Sequence, residues 1–145
     1  MEKRGLIKKC TEPTAWVHSI VAAKKRNNKL RVCLDPSDLN RAVTREHFPM
    51  QTVEDVISRM SNAKVFSVFD ANHGFWLVKL AKDSSKLATF NTPFGRYSYT
   101  RLPFGIASAP EVFQNVMVQL FQDIEGVAVI VDDLVVWGKM WSSMM

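Results

Sequence analysis

Cysteine is scarce: Cys10 and Cys33 are the two in 145 residues, too few for a disulfide framework. No Cys or His spacing fits a zinc site, and His18, His47 and His73 are too scattered to ligate a metal together. No stretch approaches the roughly 18 uninterrupted apolar residues of a membrane-spanning helix. The first nine residues, Met-Glu-Lys-Arg-Gly-Leu-Ile-Lys-Lys, lack the apolar run and cleavage site of a secretory signal. These absences predict a reduced, intracellular protein of the cytoplasm or nucleus, not secreted and with no membrane partner. There is no Gly-x-x-x-x-Gly-Lys phosphate loop, no Gly-x-Gly-x-x-Gly turn, no Gly-x-Ser-x-Gly and no His-Glu-x-x-His. The chemistries those motifs serve therefore find no support. Repeats and low-complexity tracts are also absent, and 47% hydrophobic against 23% charged residues excludes a disordered or collagen-like chain. A chain of this length suits one domain, or a piece of a larger one, and can bury a sizeable core without metal or disulfide.

What is present is uneven charge. The net charge of +5 comes entirely from the first third, where residues 1–46 hold eleven basic and five acidic side chains. A polyanion is the natural partner of such a region, and a solvated face of ordinary lysines fits the same count. Val17 to Lys25 and Leu30 to Leu34 read as two strands joined by the basic turn Arg26-Asn27-Asn28-Lys29. Residues 1–9 read as a helix end, and Asp35 to Asp38 as a turn or helix start. Val53, Val56, Ile57 and Met60 recur at helical spacing within Pro49 to Met60. Val65 to Phe69 is a β-rich run ending at Asp70. Leu87 to Asn91 and Tyr97 to Leu102 flank a hairpin-like connection. Ala109 to Ile124 is the clearest helix, with Pro110 in its first turn and a wide apolar face of Val112, Phe113, Val116, Met117, Leu120, Phe121 and Ile124. Val127 to Val131 and Leu134 to Trp137 are short strands around Asp132-Asp133. The order predicts an α+β fold with a largely antiparallel sheet.

Asp132-Asp133 is unusual because both flanks are apolar and β-branched. A simple hairpin turn accounts for it, since Asp tolerates turn geometry. So does a site, since an acid at a strand end projects into a defined place. Asp70 ends a strand in the same way, with an N-cap as the ordinary alternative. If the strands are neighbours, carboxylates gathered there repel one another and call for a cation. Mg²⁺ prefers oxygen ligands and leaves room for phosphate oxygens, and two such ions can serve phosphoryl transfer. Lys24, Lys25, Arg26, Lys29 and Arg31 fit a phosphate clamp or a solvated turn. Phe75, Trp76, Phe90, Phe94, Tyr97, Tyr99 and Phe104 are rings that suit a core or a stacking surface.

Taken together, four segments resemble the reverse transcriptase of gypsy-type long-terminal-repeat retrotransposons. Leu30-Arg31-Val32-Cys33-Leu34-Asp35-Pro36-Ser37-Asp38-Leu39-Asn40 resembles the family's fingers motif. Val65-Phe66-Ser67-Val68-Phe69-Asp70, followed by Gly74-Phe75, resembles its first catalytic motif. Arg101-Leu102-Pro103-Phe104-Gly105 through Ala109-Pro110 to Phe113-Gln114 resembles the most specific of the set, and Ile130-Val131-Asp132-Asp133 stands in the place of the aromatic-x-Asp-Asp box, with Ile130 for the usual tyrosine. The resemblance implies the fingers and palm of a polymerase with the thumb absent. Residues 1–48 would be partial fingers, 49–139 palm with part of the fingers at about 80–100, and 140–145 a tail foreign to the family.

The resemblance further implies that Asp70 and Asp132 bind metal and that Asp133 completes the catalytic triad near the primer terminus. Phe75 would be the steric gate against a 2′-hydroxyl. Arg31, with Lys24 or Lys25, would contact the triphosphate. Phe104 and Gly105 would line the loop beneath the nucleotide, and Gln114 would lie near the template strand. Two Mg²⁺ ions, with Mn²⁺ as a substitute, would serve as cofactor. The partners would be an RNA or DNA template with primer, deoxynucleoside triphosphates, and the thumb and ribonuclease H regions normally in the same Pol polyprotein. Two readings without catalysis stand beside this one: a nucleic-acid-binding remnant and a truncated product of no function.

Overall fold

The computed structural model describes residues 1–45 and 47–139; Glu46 and the expected tail at 140–145 lie outside the described residues. The strands are β1 (Ile7–Lys9), β2 (Ser19–Lys24), β3 (Leu30–Asp35), β4 (Val65–Asp70), β5 (Thr89–Thr92), β6 (Gly95–Tyr99), β7 (Val127–Ile130) and β8 (Asp133–Gly138). The helices are α1 (Ser37–Ala42), α2 (Val53–Arg59), α3 (Lys82–Leu87) and α4 (Ala109–Phe121), with 3₁₀ turns at Glu2–Arg4 and Gly74–Leu77. All three sheets are antiparallel, so the α+β expectation holds. The chain forms two compact units, one of Met1–Arg45 and Phe75–Ala109, the other of Glu46–Gly74 and Pro110–Met145.

The first unit holds the sheet β1-β6-β5 and the two-stranded hairpin β2-β3. Its core is Leu34, Ala88, Phe90 and Tyr99, with Ile7, Leu80, Tyr97 and Ile106 packed against it. Of residues 1–9, Glu2–Arg4 form a 3₁₀ turn capped by Gly5, and Ile7–Lys9 go into a strand rather than a helix. Ile7, Lys8 and Lys9 pair with Tyr99, Ser98 and Tyr97, because an edge strand lets Ile7 join the core while both lysines stay in water. The hairpin β2-β3 is tied to the sheet by buried His18, whose backbone N–H donates to Thr89 and whose Nε2 lies 2.9 Å from the Leu87 carbonyl. α3 went unread from sequence: it has six residues and no side-chain cap, so neither a stop nor a start signal marks it.

The second unit holds the sheet β4-β8-β7 with α2 and most of α4. α2 starts later than Pro49 because Thr52 caps it. The Thr52 hydroxyl accepts from the Asp55 N–H and the Asp55 carboxylate accepts from the Thr52 N–H, a reciprocal capping box. β7 is the edge strand on one side, yet Val127, Ala128 and Val129 are all buried. β4 is the opposite edge and is exposed on both faces, with Val65, Phe66, Val68 and Phe69 each more than half accessible. On α4, Phe113, Gln114 and Met117 are buried, whereas Leu120 is 65% exposed and Ile124 lies beyond the helix end. The buried face of α4 thus includes an amide where the apolar pattern pointed to Leu120 and Ile124.

Candidate active site

The acidic site is built at one end of the β4-β8-β7 sheet. Register sets Asp70 of β4 directly opposite Asp133 of β8, so their side chains share a sheet face. Cβ atoms in such a pair are about 4.5–5.5 Å apart, and like charges there are destabilising. Ile130 pairs with Asp133, leaving Val131-Asp132 as a two-residue hairpin turn. The Asp132 carbonyl accepts from the Ala71 N–H at 3.0 Å, which fastens the turn to the residue after Asp70. Asp70, Asp132 and Asp133 are all exposed. Among the described residues no three acidic, His or Cys side chains converge on one metal-sized point. The arrangement is therefore a cross-strand pair, Asp70 with Asp133, beside a turn carboxylate, Asp132.

The turn is strained: Val131 has φ 54, a left-handed conformation that β-branched residues seldom adopt. It persists because its surroundings hold it. Gln114, fully buried on α4, donates from Nε2 to the Val129 carbonyl at 2.8 Å and accepts at Oε1 from the Val131 N–H at 3.0 Å. Arg59 donates to the Val127 carbonyl at 3.3 Å and lies over the Trp137 ring at 5.5 Å. An edge strand presents alternate backbone groups away from its partner, and burial would leave them unsatisfied. Arg59 and Gln114 supply those bonds at Val127, Val129 and Val131. Gln114, expected near the template strand, thus has both ends of its amide committed beneath the acidic turn.

The first unit gathers another set. The Arg31 guanidinium lies 5.0 Å from the centroid of Phe104, a cation–π distance. Phe104 packs on Phe75 at 5.0 Å and meets Trp76 edge-on at 5.9 Å. The Phe104 carbonyl accepts from the Leu34 N–H at 2.8 Å. Gly105 has φ +116, and a Cβ there would collide with the Leu34 carbonyl, so the loop requires glycine. Asn40 completes the assembly: Nδ2 donates to the Gly105 carbonyl and Oδ1 accepts from the Ala107 N–H, both at 2.9 Å. Asn40 was quoted from sequence only as the end of a motif, and its role was missed. The signal was the Asp-Leu-Asn ending itself, an amide placed just after a helix start.

The hairpin register also sorts the lysines. Arg31 pairs with Ala23, and Lys24 pairs with Leu30. Strand side chains alternate faces, so Lys24 and Arg31 stand on opposite faces of the hairpin. Lys25, whose N–H bonds the Lys29 carbonyl at 2.8 Å, is two residues from Ala23 and follows Arg31's face. Phe75 is 9% exposed and Phe104 half-buried.

Exposed carboxylates gathered at one end of an antiparallel sheet are the hard-oxygen donor set of divalent-cation, phosphate-handling chemistry. Residues 23–143 match the family described as reverse transcriptase (RNA-dependent DNA polymerase), and the chain belongs to that family. It is 38% identical over 124 residues to an uncharacterized protein of Caenorhabditis elegans, covering 83% of this chain and 10% of that one. It is 35% identical over 112 residues to the retrovirus-related Pol polyprotein from transposon 412 of Drosophila melanogaster, covering 76% of this chain and 9% of the polyprotein. A putative enzymatic polyprotein of cassava vein mosaic virus is 32% identical over 118 residues, 81% of this chain and 18% of that one. The chain thus spans a tenth to a fifth of the curated relatives it matches. Among solved structures, the foamy viral protease-reverse transcriptase in complex with RNA/DNA hybrid superposes with a TM-score of 0.82 at 26% identity, over 97% of this chain and 19% of that one. The foamy viral protease-reverse transcriptase dRH in complex with double-stranded DNA gives 0.80 at 26% identity, over 95% and 24%.

Proposed function

We propose that the chain is the fingers–palm part of an RNA-directed DNA polymerase from a retrotransposon Pol polyprotein, with the first unit acting as fingers and the second as palm. The observation that carries the reading is the Asp70–Asp133 cross-strand pair beside Asp132, on a turn that Gln114 holds in a strained shape. The Drosophila transposon relative supports a retrotransposon origin, which the motifs lead us to read as gypsy type, and the foamy viral complexes support an RNA or DNA template with primer. Among the described residues no helix is long and apolar enough to cross a membrane, and we place the activity in the cytoplasm or nucleus.

Exposed Asp carboxylates with room for further oxygen ligands fit Mg²⁺, and Mn²⁺ as its substitute. Asp70 and Asp132 would hold two such ions and Asp133 would lie beside them. When bound, the ions neutralise phosphate charge and lower the pKa of the attacking primer 3′-hydroxyl. The chain's own residues bind and orient. Arg31, fixed on the Phe104 ring, offers a guanidinium to the triphosphate of a deoxynucleotide. Lys25, on the face of Arg31, is the better candidate for the second cation, and Lys24 the other. Phe75, held against Phe104, crowds a 2′-hydroxyl. Gly105, whose missing side chain makes room for the Leu34 carbonyl, shapes the loop beneath the nucleotide. Gln114 and Val131 fix where the carboxylates point, which is how positioning contributes to phosphoryl transfer.

The test is Mn²⁺ binding to the whole chain, read by paramagnetic relaxation of water, together with magnesium-dependent primer extension. Asp70→Asn and Asp132→Asn are each expected to abolish tight Mn²⁺ binding and any incorporation. Equal Mn²⁺ binding by wild type and both variants would sink the assignment.

A further inference from the structure

Three lysines surround a groove in the first unit that the proposed function leaves unused. Lys8 of β1, Lys79 and Lys82 line a depression of about 610 Å³ together with Leu80, Ala81, Ser85 and Thr100. All three lysines are exposed. Among the described residues none of them takes part in an ion pair, and no acidic side chain lines the groove. The nearest acids along the chain are otherwise placed: Glu12 pairs with Lys86 at 3.8 Å, and Asp83 follows Lys82 within α3. Lys79 also forms an antiparallel bridge with Arg101, setting two cations side by side across a backbone pair. Like charges directly opposite are unfavourable, and here Arg101 lies outside the groove and donates to the Leu77 carbonyl at 3.3 Å.

The chemistry of the lining narrows the ligand. Both hydroxyls are already committed, that of Thr100 to the Gly5 carbonyl and that of Ser85 to the Tyr99 carbonyl. The charged groups that remain to meet a ligand are three ammonium groups on flexible stems, beside apolar Leu80 and Ala81. Point charges without a fixed donor–acceptor pattern suit phosphate oxygens and read no base edges.

We propose that the Lys8/Lys79/Lys82 groove is a second phosphate-backbone contact, holding a nucleic-acid strand apart from the Lys24/Lys25/Arg31 hairpin. It rests on the reading that the chain binds nucleic acid. The groove adds grip without sequence preference, and its signature is salt dependence. Each lysine–phosphate contact contributes about 0.7 to the slope of log affinity against log salt for a single strand, and about 0.9 for a duplex.

The experiment measures anisotropy of a labelled single-stranded oligonucleotide and of its duplex with the whole chain, from about 50 to 200 mM salt. Lys8→Gln/Lys79→Gln/Lys82→Gln is expected to lower the single-strand slope by about 2, and the triple Arg variant is expected to keep it. Free tripolyphosphate serves as competitor. Displacement only at concentrations that also release the Gln variant is expected, and selective loss of the groove's contribution to tripolyphosphate would instead make this a small-anion site. An unchanged slope in the Gln variant, with wild type still bound, overturns the groove and leaves the polymerase reading standing. No binding by wild type at low salt overturns the groove too, while Mn²⁺ binding at Asp70 and Asp132 still reports on the active site. The single Lys79→Gln variant, expected to remove about a third of the effect, guards against misfolding of the triple one.

Discussion

Removing the Gln114 amide tests how the acidic turn is held. Gln114→Met keeps the length and most of the volume of the side chain but supplies neither donor nor acceptor. Two backbone groups then lose their partners: the Val129 carbonyl, at 2.8 Å from Nε2, and the Val131 N–H, at 3.0 Å from Oε1. A buried backbone group left unsatisfied costs about 1–3 kcal/mol. Val129 is 3% exposed and cannot recover the bond from water, so it carries the full amount. Val131 is 41% exposed, and water replaces much of what its N–H loses. The expected loss of stability is therefore about 2–3 kcal/mol, nearer one full group than two.

Urea unfolding of the whole chain measures that loss as a lower midpoint at unchanged slope. The same variant separates a positioning role from a merely structural one. If Gln114 aims the turn, Mn²⁺ affinity weakens at temperatures where the variant is still fully folded. Gln114→Glu is expected to recover part of the stability at low pH, where a protonated carboxyl again offers one donor and one acceptor. A Met variant within about 0.5 kcal/mol of wild type, with Mn²⁺ affinity unchanged, would refute the clamp.

Three further outcomes follow from the same contacts. Val131→Gly relieves the φ of 54 that a β-branched residue resists, worth roughly 1–2 kcal/mol against a flexibility cost of roughly 0.5–1 kcal/mol; thermal melting is expected to show no loss of stability, and a clear loss would contradict the strain. Gly105→Ala drives a methyl into the Leu34 carbonyl at a positive φ, so hydrogen exchange is expected to quicken at the Leu34 and Ala107 amides; unchanged protection there would show that the loop does not need its glycine. Tyr99, buried with no hydrogen-bond partner for its hydroxyl among the described residues, has its phenol pushed up to about 12 by burial and, less, by Cys33. The native state keeps its proton when the unfolded chain, near pH 10, has lost it, so the Tyr99 contribution to stability is constant below about pH 10 and is lost from there towards 12. Tyr99→Phe is expected to flatten that alkaline fall in urea titrations, and an identical fall in the variant would place its origin elsewhere.

The residues that were legible from sequence share a feature: their signal is local. The hairpin β2-β3 announces itself by apolar runs around Arg26-Asn27-Asn28-Lys29, and the structure pairs Ser19–Lys24 with Leu30–Asp35 in continuous register. β4 ends at Asp70 as its pattern predicts. Strand β1 is hidden behind the short 3₁₀ end at Glu2–Arg4 because three residues are too few to show a period, and only Tyr97, Ser98 and Tyr99, some ninety positions away, make it a strand. α3 was invisible for the matching reason, six residues with alanine at the N-cap. The wide apolar face on α4 was half right. Phe113 and Met117 are buried as the spacing required, but Leu120 is exposed and the amide of Gln114 is buried in its stead.

Gln114 shows what a single sequence withholds at a site. A glutamine one position from Phe113 on an apolar helix reads as polar surface, or, by resemblance, as a contact to a template. What decides its role is the unpaired edge of β7, a property of sheet order that no window of sequence contains. Val127, Ala128 and Val129 form an uninterrupted apolar run, which correctly implies burial on both faces. Burial of an edge strand then creates a demand for donors and acceptors that the sheet itself cannot meet. Arg59 meets it at Val127, and Gln114 meets it at Val129 and Val131. The same bonds that close the sheet edge also fix the backbone just before Asp132 and Asp133. Packing and chemistry are therefore not separable at this turn: a change that loosens the edge of β7 re-aims the carboxylates, and the strain at Val131 is sustained by the core beneath it.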